Sequence, residues 1–230
     1  MPVRMSRLIV LIVLVLAACS VDTQETIPQF LLIVREQLRP GTDEAYDKNE
    51  RELAAVCATW RCPHPYVALA SVAGPKEVWW FNAFASEQER DALEPAYARN
   101  EPLMAAMDPL GQRKEEFREA FTSTMTEYRR DLSNGAVLRI VGTRFFIVNT
   151  TLDESRSAGA IFESSDGERF MIASANDRPA AEDIAARSGP AAMILAVQPQ
   201  WSVPARAWVD ADPGFWSDSP AARSAPGDSL

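Results

Sequence analysis

The chain has 230 residues, which is enough for one large domain or two small ones with a genuine hydrophobic core. Acidic residues outnumber basic residues by 32 to 23, and the formal net charge is −9. A negative surface repels nucleic-acid phosphates and anionic lipid headgroups, so the composition argues against both as partners.

The N-terminal segment has the pattern of an export signal. Arg4 and Arg7 precede an unbroken apolar run over residues 8–16. This run is too short to cross a bilayer comfortably, and no later segment of the sequence is long and apolar enough to do so. We therefore predict a cleaved signal peptide over residues 1–18 rather than a transmembrane helix.

The sequence LAAC at residues 16–19 resembles the bacterial lipobox, in which the cysteine thiol is diacylated and becomes the new N-terminus. We predict lipid on Cys19 and, through that lipid, a membrane as partner. Ser20 rather than aspartate follows the cysteine, which by similarity to sorted lipoproteins favours the periplasmic side of an outer membrane. Residues 19–29 are polar and lack periodicity, so we interpret them as a short tether.

Two further cysteines, Cys57 and Cys62, lie close together near the end of a predicted helix. With Cys19 lipidated, they are the pair left in an oxidising compartment. Their spacing would close a small loop where the chain can bend. We expect a disulfide between them, and two free buried thiols are the alternative.

Hydrophobic periodicity over residues 30–150 predicts the order strand, helix, strand, strand, helix, strand. The expected elements are a strand at 30–38, a helix at 43–57, hairpin strands at 66–73 and 77–85, a helix opening at 86, a long amphipathic helix from 108 to about 131, and a strand at 137–151.

Residues 151–209 form a second, strand-rich half in this interpretation. The expected elements are strands at 159–163 and 168–174 around the turn Asp166-Gly167, a helix at 179–187, and strands at 191–197 and 203–209. A degenerate repeat of the first half without its first helix would give this order. Residues 210–230 are rich in Pro, Ser, Ala, Gly and Asp, which predicts a loose tail with Phe215 and Trp216 as a small anchor.

The strands at 66–72 and 78–84 are apolar on both faces, which indicates that their sheet is covered on both sides. The predicted helices cover one face. The other must meet either an equivalent sheet from a second subunit or the strands of the second half. We favour closure within the chain because the second half supplies several strands, and the expected state is a monomer or a homodimer.

Specific residues of the first half resemble a known superfamily. Arg39-Pro40-Gly41 after the first strand, Tyr46 in the helix and the aromatic strand Trp79-Trp80-Phe81 resemble the dimeric α/β-barrel superfamily, which contains antibiotic-biosynthesis monooxygenases and NIPSNAP-type proteins. The resemblance implies an α+β fold, with a ferredoxin-like antiparallel sheet and helices on one face. Two fused halves would then form an α/β-barrel.

The sequence offers few residues for metal or cofactor chemistry. His64 is the single histidine, and its position between two prolines is typical of an exposed loop residue. No Gly-x-Ser-x-Gly elbow or glycine-rich phosphate loop is present, so we expect neither metal nor cofactor. The helical patterns place several charged residues on faces that we expect to be solvated, namely Glu50, Lys114, Glu115, Glu116 and Arg118.

Three residues are the pocket candidates: Trp80, Asn82 and His64. Asn82 is the polar residue of an apolar strand face, and the resemblance implies that Asn and Trp line a pocket for an aromatic substrate. A core tryptophan and a structurally bonded asparagine are the alternative.

Three functions are consistent with these observations. The favoured one is a non-catalytic lipoprotein that binds a small apolar or aromatic molecule or serves as a scaffold. The alternative is a cofactor-independent monooxygenase-like enzyme that acts on a small aromatic substrate. A haem-handling protein is the third.

Overall fold

The computed structural model of the chain describes residues 27–151 and 159–223. The predicted signal peptide, Cys19 and most of the tether lie outside the described residues. Within those ranges, no helix combines the length and the hydropathy that spanning a bilayer requires.

Four strands and four helices make up the first half of the chain. They are β1 (Phe30–Leu38), α1 (Asp43–Trp60), β2 (Val67–Ser71), β3 (Glu77–Phe84), α2 (Glu87–Asp91), α3 (Leu93–Ala98), α4 (Glu101–Arg113) and β4 (Arg118–Tyr128). A 3-10 turn, Lys114–Glu116, joins α4 to β4.

The second half contributes four more strands and the C-terminal helices. They are β5 (Phe145–Asn149), β6 (Ala160–Ser164), β7 (Arg169–Ala175), α5 (Arg178–Ser188), β8 (Met193–Val197), α6 (Arg206–Ala211), α7 (Pro213–Trp216) and α8 (Pro220–Arg223). Another 3-10 turn, Pro199–Trp201, follows β8.

All eight strands form one closed antiparallel barrel in the order β1-β3-β2-β8-β5-β7-β6-β4. The first half thus has the order β4-β1-β3-β2, and the second half repeats it as β8-β5-β7-β6. Each half is a ferredoxin-like sheet, so the predicted α+β fold with two fused halves in an α/β-barrel is confirmed.

The barrel closes within one chain at two seams. At one seam Leu69 of β2 lies opposite Val197 of β8, and at the other Thr126 of β4 lies opposite Ser164 of β6. Closure buries the apolar inner faces of both halves, which explains why β2 and β3 are apolar on both sides. The largest fully buried side chains inside are Leu31, Ile33, Leu69, Trp79, Phe81, Phe146, Phe162 and Phe170.

The prediction of a long helix over residues 108–131 is wrong. Helix α4 begins at Glu101, after the Asn100 cap, and ends at Arg113, and residues 118–128 are strand β4. Apolar residues recur at helical spacing at positions 117, 121, 125 and 128, which fits a helix. Threonine occupies the alternate positions 122, 124 and 126, which fits a strand. The free edge of β1 selects the strand by pairing with it along its length.

Two further predicted elements differ from the structure. The strand expected at 137–151 is confined to Phe145–Asn149, and the one expected at 203–209 is a single bridge from Val203 to Tyr66 followed by helix α6. Pro204 has no N–H with which to continue a ladder beyond that bridge. The tail is not loose throughout, because α7 and α8 lie in it and Trp216 is buried against the barrel core.

The end of α1 is tied to the loop that follows it. Arg61 takes a left-handed conformation with φ of 56°, which ends the helix. A disulfide joins Cys57 to Cys62 across this bend, with their Cα atoms 4.7 Å apart. The covalent loop fixes where the chain leaves α1 and enters the segment containing His64.

Candidate active site

The site begins with a carboxylate on the outer, helix-covered face of the first sheet. Strand alternation directs Leu31 and Ile33 of β1 into the barrel, whereas Val34, Glu36 and Leu38 face the helices. Glu36 is only 2% exposed. A carboxylate buried to this extent needs charged or hydrogen-bonding partners to remain stable.

Three side chains from different elements supply those partners of Glu36. The Tyr46 hydroxyl on α1 donates to Glu36 Oε2 at 2.6 Å, and Arg118 Nη1 at the start of β4 donates to Oε1 at 2.8 Å. Lys114 Nζ in the 3-10 turn lies 3.1 Å from the same Oε1 atom. Glu36 is thus held by one phenol and two cations.

Lys114 is the centre of the arrangement. Its Nζ atom also lies 3.1 Å from Oε1 of Glu50, which is 3% exposed on α1. The same ammonium sits 4.0 Å from the ring centre of Trp80 and 5.6 Å from that of Tyr46. Two carboxylates and two aromatic faces therefore surround one cation, a combination that stabilises its charge. We call Glu36, Tyr46, Glu50, Lys114 and Arg118 the Lys114 cluster.

Burial alters the proton affinity of two members of the Lys114 cluster. Burial raises the pKa of the Glu50 carboxyl, and the charge of Lys114 opposes this without cancelling it. Burial, with the negative charges of Glu50 and Glu36, raises the pKa of Tyr46 far above its ordinary value, so its hydroxyl remains a proton donor. Glu50 is consequently a better proton acceptor than a carboxylate in water.

Three buried polar atoms in or beside the cluster make no hydrogen bond within the described residues. They are Asn49 Oδ1 and Glu50 Oε1 on α1 and Arg118 Nε on β4, of which Glu50 Oε1 still forms its ion pair with Lys114. Asn49 is fully buried, and its Nδ2 donates to the Leu110 carbonyl at 3.3 Å. Because buried polar atoms are nearly always paired, these atoms mark unused hydrogen-bonding capacity next to the charges.

A groove between α1 and α4 reaches the cluster. Its volume is about 520 Å³, and Leu53, Met104 and Met107 supply apolar walls. Lys114 lines the same groove while its ammonium contacts Glu36 and Glu50. The groove therefore joins an apolar surface to a charged centre, as small-molecule sites commonly do.

A second groove, of about 740 Å³, runs along the outer side of α1. It is larger, but its lining is mainly charged and solvated, with Glu44, Lys48 and Arg51 among its residues. The buried pairs of the Lys114 cluster do not line it. We therefore place the candidate site at the groove between α1 and α4.

The structure separates the three pocket candidates. Trp80 lies in contact with Lys114 and packs with Tyr46 and Trp201 in the same apolar cluster. Asn82, two residues farther along β3, donates through Nδ2 to the Pro65 carbonyl at 3.2 Å. Trp80 thus adjoins the candidate site, whereas Asn82 makes a local structural bond.

His64 is buried, not exposed as the flanking prolines predicted. It is 6% exposed, and its ring packs on Phe84 with centroids 4.4 Å apart. Nδ1 lies 2.8 Å from the Pro65 carbonyl and Nε2 lies 3.2 Å from Glu89 Oε1. The turn through Pro65 folds the imidazole onto the end of β3, where it shares the Pro65 carbonyl with Asn82.

Neither ring nitrogen of His64 is free to bind a haem iron. His64, the chain's single imidazole, directs both ring nitrogens at protein oxygens. Among the described residues, no group of three or more His, Cys, Asp or Glu is placed to hold a metal ion. In the second half of the chain, alanines of α5 pack directly on β5 and β7 and fill the space between the helix and the sheet.

Local sequence patterns do not predict most of the Lys114 cluster. They place Glu50, Lys114 and Arg118 on solvated faces, whereas all three are largely or fully buried. Their local charge pattern matches that of an exposed helix, so it gave no sign of burial. One signal of a buried charged site was available in the sequence. Glu36 shares one face of β1 with the apolar residues Val34 and Leu38.

Comparison with known proteins supplies structural likenesses alone. No family model matches the chain, and no curated protein matches it. A candidate monooxygenase from Fusobacterium nucleatum is 7% identical with a TM-score of 0.46, covering 75% of this chain and 93% of that one. A candidate chlorite dismutase is 13% identical with a TM-score of 0.44, covering 76% and 97%. An anthrone oxidase-like protein is 10% identical with a TM-score of 0.43, covering 74% and 92%.

At these identities the likeness concerns the fold and assigns no activity. The matching structures bear the names of oxidising enzymes or of proteins like them. These names run against the expectation of a non-catalytic binding or scaffold protein, and that expectation is not carried further.

Proposed function

We propose that this protein is an enzyme that removes a proton from a small, mainly apolar organic substrate held in the groove between α1 and α4. One observation carries the proposal: Lys114 lines that groove while its ammonium contacts two buried carboxylates at 3.1 Å each. The reaction class we favour is cofactor-independent oxygenation of an aromatic compound, which is the class implied by the resemblance of the first strands and helix.

Each member of the cluster has a role in this proposal. Lys114 lines the groove, and its ammonium stabilises an oxyanion that develops on the substrate. Glu50, whose pKa burial raises, does not line the groove; it takes a proton from Lys114, and the neutral amine that results accepts the substrate proton. Tyr46 and Arg118 hold Glu36 beside Lys114 and so keep the ammonium in place.

Proton removal is the step that makes oxygenation accessible without a cofactor. The substrate carbanion gives electrons to dioxygen, and a carbon–oxygen bond forms. The resulting peroxide loses water as its oxygen–oxygen bond breaks, so a methylene group and dioxygen become a carbonyl group and water. Dioxygen is the oxidant, and the protein supplies the base and the electrostatic stabilisation.

The groove walls fit an aromatic substrate of this kind. Leu53, Met104 and Met107 give an apolar, polarizable surface, and methionine sulfur makes favourable contacts with aromatic rings. The ring centre of Trp80 lies 4.0 Å from the Lys114 ammonium, so an aromatic face forms part of the charged centre. An apolar ring bound against these walls would place its acidic C–H or O–H group at the end of the groove that Lys114 lines.

Oxygen uptake by residues 20–230 tests the proposal, with anthrone and a series of naphthols as substrates. Glu50→Gln keeps the shape of the side chain but removes the carboxylate that takes the proton from Lys114, and we expect kcat to fall by about 100-fold or more. Glu44→Gln, on the exposed first turn of α1, is the matched control and should keep the wild-type rate. Equal rates for wild type and Glu50→Gln would rule out the assigned role.

The N-terminal pattern supports a second part of the proposal. Arg4, Arg7, the apolar run and the LAAC sequence favour export and lipid on Cys19. We propose that the enzyme is held in this way on the periplasmic side of an outer membrane. The Ser20 to Gln29 tether would keep the barrel close to that membrane.

A further inference from the structure

Strand β4 has an open edge over most of its length. On one side β1 pairs with it along residues 118–127. On the other side β6 pairs only with Thr126, Glu127 and Tyr128, and the chain then turns away at Ser164 into the hairpin with β7. Among the described residues, nothing pairs with the outer edge of residues 118–125.

Hydrogen bonds at the end of β4 show which positions point toward this edge. Tyr128 N donates to the Gln29 carbonyl at 2.8 Å, on the β1 side, and Arg129 N donates to the Ile161 carbonyl at 2.8 Å, on the β6 side. Because these directions alternate along a strand, Phe121 and Ser123 direct their N–H and C=O groups outward. The alternation ends at Glu119, where the register with β1 shifts, and the Phe117 carbonyl accepts from Arg39 N on the β1 side.

The same stretch is exposed on both faces. Every residue from 119 to 123 is exposed, which an ordinary barrel strand would not show. Phe121 is 49% exposed and is one of three exposed large hydrophobic residues in the described part of the chain. Residues 120–125 of the open stretch contain neither proline nor a charged side chain, which commonly protect a strand edge from pairing.

We propose that two copies of this chain associate by antiparallel pairing of their β4 edges, with the two-fold axis at Phe121. In this register Phe121 lies opposite Phe121 of the second copy, and Ala120 lies opposite Thr122. The outward-facing N–H and C=O groups of the two Phe121 residues then meet, no like charges are opposed, and the two exposed rings form a cross-strand aromatic pair.

The structure favours this register over its neighbour. If the axis lay at Thr122, Arg118 of one copy would lie opposite position 126, which β6 already pairs through Ser164. An axis at Phe121 keeps the partner strand clear of β6. A second copy is the occupant we favour because the strand complements itself in charge, hydrogen bonding and apolar surface.

The interface would adjoin the candidate site without depending on its activity. The Arg118 guanidinium lies 4.4 Å from the ring centre of Phe121 and donates to Glu36. Covering Phe121 would remove water from one side of this cation. Association can be measured without any substrate, so its failure would not count against the proposed reaction.

Cysteine cross-linking tests the register directly in residues 20–230. Opposed residues in a hydrogen-bonded antiparallel pair have Cα atoms about 5.5 Å apart, a separation that a disulfide spans. Phe121→Cys should therefore form a covalent dimer on oxidation, whereas Ser123→Cys alone should not. A mixture of Ala120→Cys and Thr122→Cys should link, because those positions are opposite. Equal linking of Ser123→Cys and Phe121→Cys would overturn the proposed register.

Light scattering tests association without added cysteines. We expect a dimer for the wild-type chain and at least a tenfold weaker dimer for Phe121→Glu, which sets like charges opposite each other. Trp60→Glu, at a site 44% exposed on α1, is the matched control and should stay dimeric. A monomeric wild-type chain would overturn the proposal and leave the edge to a different partner. Equal dissociation of the Phe121→Glu and Trp60→Glu dimers would also overturn it. Should Phe121→Glu fail to fold, the cross-linking result decides.

Discussion

Lys114, which lines the groove between α1 and α4, places its Nζ atom 3.1 Å from Glu50 Oε1. The lysine comes from the turn before β4 and the glutamate from the middle of α1, so the contact exists only in the folded chain. It links a buried carboxylate of raised pKa to a surface that a substrate can reach. The acid–base properties of the protein should depend on this pair.

The first prediction concerns pH and Glu50. A carboxyl group with a higher pKa in the folded than in the unfolded chain binds more protons when folded. Its contribution to stability is therefore present below the ordinary carboxyl pKa and is lost as pH rises through the raised value. Glu50→Gln removes this titration, so its free energy of unfolding should change less with pH over that range. Urea unfolding at a series of pH values measures the difference, and parallel curves for the two proteins would contradict it.

The second prediction concerns the cation of the cluster. Lys114→Met leaves Glu36 and Glu50 buried without the ammonium between them, and breaking a buried ion pair in this way costs about 3–5 kcal/mol. Lys48→Met, on the exposed face of α1, should change stability by less than about 0.5 kcal/mol. Chemical unfolding compares them. Adding Glu50→Gln to Lys114→Met should restore part of the loss because it removes one of the two facing charges.

The third prediction concerns the bridge between Cys57 and Cys62. Thiol labelling of unreduced, denatured residues 20–230 should detect no free cysteine. Replacing both cysteines by alanine should lower the free energy of unfolding by about 2 kcal/mol, a small value because the closed loop is short. Two reactive thiols in the unreduced chain would show that the bridge does not form.

The fourth prediction concerns the lipid anchor. Expression in a Gram-negative bacterium with labelled palmitate should mark the wild-type protein and leave Cys19→Ala unlabelled. The unlabelled variant should also move from the membrane to the soluble fraction, because the apolar run 8–16 is too short to hold it firmly. A Cys19→Ala protein that still carries lipid would refute the assignment of Cys19.

The sequence determined the architecture wherever local pattern and burial agree. Strand β1 begins with the apolar run Phe30 to Val34, and β2 and β3 are apolar on both faces, which required a second covering layer. The turn Asp166-Gly167 placed the hairpin of β6 and β7, because its glycine takes the positive φ of 88° that such a turn needs. These signals are local, and they sufficed for an α+β barrel closed within one chain.

Only the tertiary structure decided the nature of β4 and the composition of the site. The apolar residues of 117–128 fit a helix and a strand almost equally well, and pairing with the free edge of β1 selected the strand. Glu50, Lys114 and Arg118 have the local pattern of solvated charges, yet each is buried by an element distant in sequence and stabilised by an opposite charge from another. Burial of a charge depends on which partners the fold brings within reach, and local sequence does not encode that distance.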